Sequence, residues 1–159
     1  VPLMQAAGTL FAWLGPEGGS PPALPPFDCF RAPASHSFAF KGLWHCNWLQ
    51  AFEVGIDPAH PSFLHRMLDE HDAGAAYGRQ FRAASLGEVD GQRWPMTKIM
   101  REFHAPEIRH EDLGAPGSGI VRITTLRALS QRHTHVRVTH AAFPHTFVIP
   151  LSETVTITQ

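Results

Sequence analysis

Apolar residues at Trp48, Leu49, Phe52 and Ile56 recur at intervals that place them on one stripe of a helix. The segment "CNWLQAFEVGI" is therefore expected to be helical, with Asn47 as its N-cap. Asp57-Pro58 is a second start signal, Asp as cap and Pro at the first helical position. Two short helical pieces with a bend are predicted.

Alternation and β-branching predict strands elsewhere. "GTLFAWLG" (8–15) reads as a short buried strand, and "SHSFAFKGLW" alternates His36, Phe38 and Phe40 with Ser37, Ala39 and Lys41. "TKIMREFH", "GIVRITTLRAL", "THVRVTHAAF" and "TFVIPL" are of β type, with a turn at Gly114–Gly119. "ETVTITQ" alternates Val155 and Ile157 with threonines and ends with the strand pattern still running. "PEGGSPPALPPF" holds too much proline for a helix or a central strand and is expected to be a stiff connector. Asp69 to Gly91 is Gly-, Ala- and charge-rich and reads as a mobile loop or lid. The fold class is thus α+β, helices first and an antiparallel sheet after them. Trp44, Trp48 and Phe52 are expected in the core.

Composition narrows the classes. The 159 residues are 43% hydrophobic and 17% charged, which suits one globular domain with a real core. A net charge of −1 argues against nucleic acid or an anionic membrane as the main partner. No apolar run approaches the ~20 residues of a membrane span. Two cysteines, Cys29 and Cys46, fit a reducing, cytoplasmic compartment, and alone they cannot hold an iron–sulfur cluster.

Eleven histidines are many for this length, and histidine is the commonest metal ligand. "EVGIDPAHPSFLHR" gathers Glu53, Asp57, His60 and His65. On a straight helix Glu53, Asp57 and His60 share a face, whereas His65 lies about 140° from His60. A bend at Pro61 permits the two histidines to converge. From spacing alone, a polar helical face with a cap remains open beside a metal site. His133 and His135 are two apart on a predicted strand and face one side, with His140 on the other. They are expected at an edge or solvent face, with a metal pair as the alternative. Arg79, Arg82, Lys98 and Arg101 suit an aromatic carboxylate or, more simply, a solvated face. Ser62 in "SFLH" has no nucleophile elbow around it.

"CNWLQAFEVGIDPAHPSFLHR" resembles the iron-binding segment of the catalytic α subunits of Rieske non-haem iron oxygenases. That family's pattern is an acid, three residues, Asp, two residues, His, four residues, His. The Asn47-Trp48 pair, "GTLFAWLGPEG", "PPALPPF" and "HVRVTHAAFPHTFVIPLSETVTITQ" extend the likeness, which is strongest to the phthalate dioxygenase-like subgroup. The resemblance implies that residues 1–27 end a Rieske domain with its linker. Residues 28–159 would begin a helix-grip-type catalytic domain. It implies His60 and His65 as Fe(II) ligands and Asp57 as the electron-transfer bridge to a neighbouring subunit's [2Fe–2S] cluster. Glu53 fills the acidic position without being a ligand. The third ligand, a carboxylate, is expected beyond Gln159 and not among Asp69, Glu70 and Asp72. The cluster's own Cys and His residues are expected before Val1, so the chain is expected to be a fragment. The implied activity is NAD(P)H- and O2-dependent hydroxylation or O-demethylation of an aromatic compound. A reductase or ferredoxin would supply electrons and a trimer-based homo-oligomer the intersubunit path. The alternatives are a metalloenzyme built on the His133/His135 pair and a non-enzymatic helix-grip binding domain.

Overall fold

The computed structural model describes residues 1–64, 85–150 and 156–158. The backbone divides into two units, Val1–His45 and Cys46–Gln159.

In the first unit, β1 (Leu3–Ala6) and β2 (Thr9–Ala12) form an antiparallel hairpin. Its turn needs two left-handed residues, Ala7 at φ 48 and Gly8 at φ 79. Most of β2 is exposed, against the expectation of a buried strand. The reason is that among the described residues only β1 pairs with it, and a two-stranded hairpin has little to bury against. The Pro-rich connector has no regular structure from Gly19 to Phe27. Short 3-10 turns follow at Asp28–Arg31 and Ala34–His36. The core here is aromatic: Phe30 lies 5.7 Å from Phe11 and 5.9 Å from Phe27, which is buried. "SHSFAFKGLW" is not a strand. Phe38 and Phe40 are 85% and 65% exposed, and alternation without a partner edge makes no ladder.

The second unit opens with α1 (Trp48–Ile56) and α2 (His60–Leu64). Asn47 caps α1 by accepting from the Leu49 N–H at 2.9 Å, while Gln50 Oε1 accepts from the Asn47 N–H at 3.2 Å. β3 (Ser85–Val89) and β4 (Gln92–Pro95) pair around a turn at Asp90-Gly91, so the C-terminal end of the expected loop is a hairpin. Residues 65–84 lie outside the described residues. α3 (Met96–Glu102) corrects the β-type reading of "TKIMREFH". Its adjacent Ile99 and Met100 are both fully buried, as one stripe of a helix allows, whereas on a strand they would face opposite sides.

β5 (Glu107–Asp112), β6 (Ile120–Ala128), β7 (Thr134–Ala142), β8 (Thr146–Pro150) and β9 (Thr156–Thr158) form a five-stranded antiparallel sheet in sequence order. Register puts Thr125 opposite Arg137, Arg127 opposite His135, and Ala141 opposite both Val121 and Phe147. Paired residues share a face, and alternate residues stay on it. One face therefore carries a polar end at Arg127 and His135 and an apolar end at Ala141 and Phe147. α1 covers the apolar end, where Phe52, Ala141 and Phe147 form the core with Ile56 and Ile149 against it. The approach is close: a Cβ on Gly55 would lie 2.3 Å from the Phe147 ring. Phe52 is buried as expected, but Trp44 and Trp48 are 52% and 53% exposed. Trp48 meets Phe143 edge-on at 5.9 Å and is not enclosed.

Candidate functional site

The two helical pieces meet at Asp57-Pro58-Ala59, and this break decides how the expected site residues are presented. Asp57 ends α1 in an extended conformation, φ −71 and ψ 111. Its Oδ1 accepts from the Ala59 N–H at 2.8 Å and its Oδ2 from the His60 N–H at 3.1 Å. The carboxylate thus caps the start of α2. The bend falls before His60, not at Pro61, which sits inside the first turn of α2 where its missing N–H costs nothing. Glu53, Asp57 and His60 consequently do not share one continuous helical face.

His60 faces back on the same turn. Its Nδ1 lies 2.7 Å from the Asp57 carbonyl oxygen, so a proton on Nδ1 donates there and the lone pair sits on Nε2. A histidine that binds metal through Nε2 is held in this way, its other nitrogen bonded to a carbonyl or carboxylate. The donor chemistry at His60 therefore fits an Fe(II) ion. Asp57 is engaged differently, both carboxylate oxygens being taken by backbone N–H groups. His65, Asp69, Glu70, Asp72, Arg79 and Arg82 lie outside the described residues. Among the described residues, no three His, Cys, Asp or Glu side chains gather where they would hold a metal.

Beneath this turn lies a buried polar group that sequence reasoning did not single out. Arg127, 3% exposed on β6, donates through Nε to the Phe103 carbonyl at 2.9 Å. Its Nη1 reaches Thr125 Oγ1 at 3.5 Å, and its Nη2 reaches the Pro58 carbonyl at 3.5 Å and Ser62 Oγ at 3.3 Å. Ser62 is fully buried, and its role is to accept from this guanidinium. The inward parity of Arg127 with Thr125 in "RITTLRA" was the available signal, but parity does not tell which face is covered.

His135 sits directly opposite Arg127 and is 8% exposed, so it is not the solvent-face residue expected. Its Nδ1 is buried and has no hydrogen-bond partner among the described residues. Burial, then the charges of Arg127 and Arg137, hold its pKa down at about 4, so it is neutral at pH 7. Burial and then Arg127 likewise lower Arg137 to about 10. His133 precedes β7 and is half-exposed; its Nδ1 lies 3.2 Å from Ser130 Oγ and 3.5 Å from Asp90 Oδ1. It is a turn residue, which disfavours a metal pair with His135. Lys98 is half-buried and Arg101 exposed on α3. An open depression of about 600 Å³ beside the end of α3 is lined in part by Glu102, His104, Glu107 and Arg109. Glu107 already accepts from Arg109 there at 2.7 Å, both exposed, which marks a solvated polar notch.

The described chain is an α+β arrangement of antiparallel strands with a few helices. No family model matches it, and no solved structure matches it. It is 35% identical over 68 residues to the tert-butanol monooxygenase / tert-amyl alcohol desaturase oxygenase subunit of Aquincola tertiaricarbonis. That stretch is 42% of this chain and 14% of that subunit. The likeness is thus to an oxygenase subunit, in broad agreement with the expected family. No helix among the described residues is long and apolar enough to cross a membrane.

Proposed function

We propose that this chain is part of the oxygenase component of a Rieske-type non-haem iron oxygenase. In this reading His60 and His65 hold Fe(II), and a carboxylate from beyond Gln159 completes the set. The iron, when bound, supplies the capacity to activate O2. The supporting comparison is the partial likeness to an oxygenase subunit. The observation that carries the reading is the 2.7 Å contact of His60 Nδ1 with the Asp57 carbonyl, which sets the tautomer a ligating Nε2 requires.

The chain's own residues then have separate tasks. His60 is oriented by its Nδ1 hydrogen bond and offers Nε2. Asp57 caps α2 and keeps its carboxylate one turn from the ligand, as a bridge for electrons from a [2Fe–2S] cluster of a neighbouring subunit would need. The reductase or ferredoxin donor, the trimeric assembly and an aromatic substrate belong to the same proposal. Hydroxylation and O-demethylation are both within its scope.

His60→Ala in the full-length protein is the test. Mononuclear iron, counted beyond the two irons of the [2Fe–2S] cluster, and oxygenase turnover are expected to fall together to background. A full equivalent of mononuclear iron retained in that variant would overturn the reading.

A further inference from the structure

Arg127 makes four hydrogen bonds from the polar end of the sheet face, and two of their acceptors bracket His60. The Pro58 carbonyl lies two residues before it and the Ser62 hydroxyl two residues after it, at 3.5 and 3.3 Å from the same Nη2. A third bond, to the Phe103 carbonyl at 2.9 Å, ties in the segment just after α3. The Ser62 N–H in turn donates to the Ala59 carbonyl at 3.0 Å, so Ser62 is also tied to the residue after Pro58. The His60 ring takes its orientation from the Asp57 carbonyl, part of this same short backbone stretch. None of the four acceptors is a carboxylate; all are neutral carbonyls or hydroxyls. A buried guanidinium spent on neutral acceptors is an expensive way to hold a turn. A planar fork with five donors suits acceptors that diverge from one point, which a lysine ammonium on a flexible stem does not reproduce.

We propose that Arg127 is a positioning residue for the metal site. Through Pro58 and Ser62 it fixes the backbone from which His60 is presented, and so sets the direction of the ligand nitrogen. This rests on the proposed role of His60 as an iron ligand. Arg127 itself touches neither metal nor substrate in this scheme.

The test uses full-length protein depleted of its mononuclear iron alone and titrated with Fe(II). Affinity is read directly, and site geometry is read from the EPR signal of the nitric oxide adduct. Arg127→Lys keeps the charge and loses the fork, and is expected to weaken Fe(II) binding about tenfold, the lower end for partners that orient ligands. Its EPR signal is expected to broaden or split. Ser62→Ala, which keeps Arg127 and its three other bonds, is expected to shift both readouts in the same direction by less. If Arg127→Lys does not fold, Ser62→Ala decides alone. Lower thermal stability with unchanged affinity and unchanged EPR in the folded variants would show a purely structural residue and overturn the proposal. His60→Ala is the control that separates the two claims. If it abolishes binding while Arg127→Lys and Ser62→Ala bind as wild type, only the positioning role falls. If it binds as wild type, the metal site and the positioning role fall together.

Discussion

The Asp57–His60 turn and the Arg127–His135 cluster belong to the same unit but are built in opposite ways. The turn is made by hydrogen bonds spanning two or three residues, on a side chain that stays exposed. In the cluster, three of the four bonds of the buried Arg127 guanidinium span 24 to 69 residues. Local bonds persist in water because each partner can be rehydrated, and their net worth is modest. Buried groups have no such refuge, so the cost of an unmet charge or donor there is far larger. The consequence is that chemistry can change at the turn with little harm to the fold, while the cluster beneath it tolerates little.

The largest expected effect concerns His135. Its pKa near 4 in the folded chain compares with about 6.5 when unfolded. Above pH 6.5 both states are neutral and no proton-linked penalty exists. Between 6.5 and 4 the unfolded chain takes up the proton and the folded chain does not, so stability falls as pH falls. Below 4 the loss levels off. The full drop is on the order of 3 kcal/mol, since each pKa unit is about 1.4 kcal/mol. Denaturant melts at pH 7.5 and pH 4.5 should show most of it in the native protein and much less in His135→Gln. An equal pH dependence in both would mean that the cluster does not exclude the imidazolium.

The contrast also explains what could be read from the sequence. Asn47, the α1 stripe and the second start at Asp57 were legible because caps and helical periodicity are properties of neighbouring residues. Arg127, Ser62 and the burial of His135 were not, because they depend on which sheet face meets which helix. The reading of "TKIMREFH" as β type failed for a related reason. Ile99 is β-branched, but burial together with Met100 settles the helix, and burial is a tertiary quantity. "SHSFAFKGLW" failed in the reverse sense, having the alternation of a strand and no partner strand among the described residues. The bend expected with the second start at Asp57-Pro58 is present between Asp57 and Ala59; the further bend at Pro61 is not, because Pro61 is harmless in a first turn.

Gly55 joins the two regions, since it lets α1 lie against the face that carries the cluster. Gly55→Ala would gain up to about 1 kcal/mol of helix propensity. Against this stands a Cβ 2.3 Å from the ring of Phe147, which is itself 4% exposed and packed on Phe52. Overpacking of that kind costs about 3 kcal/mol, so a net loss of about 2 kcal/mol is expected in denaturant unfolding. A stabilised Gly55→Ala would mean that the ring yields and that α1 is not pinned to the sheet at this point.

The smallest stability effect is expected at the turn, and there the two possible tasks of Asp57 come apart. Asp57→Ala removes the acceptors of the Ala59 and His60 N–H groups, which are half-exposed and partly rehydrated, and should cost about 1 kcal/mol. Asp57→Asn keeps one carbonyl oxygen in a position that asparagine caps as well as aspartate, so its cost should be only a few tenths of a kcal/mol. Turnover should not follow this order. If the carboxylate charge carries electrons toward the metal, Asp57→Asn should lose activity as severely as Asp57→Ala while melting like the native protein and retaining its iron. If Asp57 is only a cap, Asp57→Asn should work nearly as well as the native protein and Asp57→Ala should fail only as far as α2 frays. Steady-state turnover set beside the melting curve of each variant distinguishes the two, because stability moves with the hydrogen bonds and electron transfer moves with the charge.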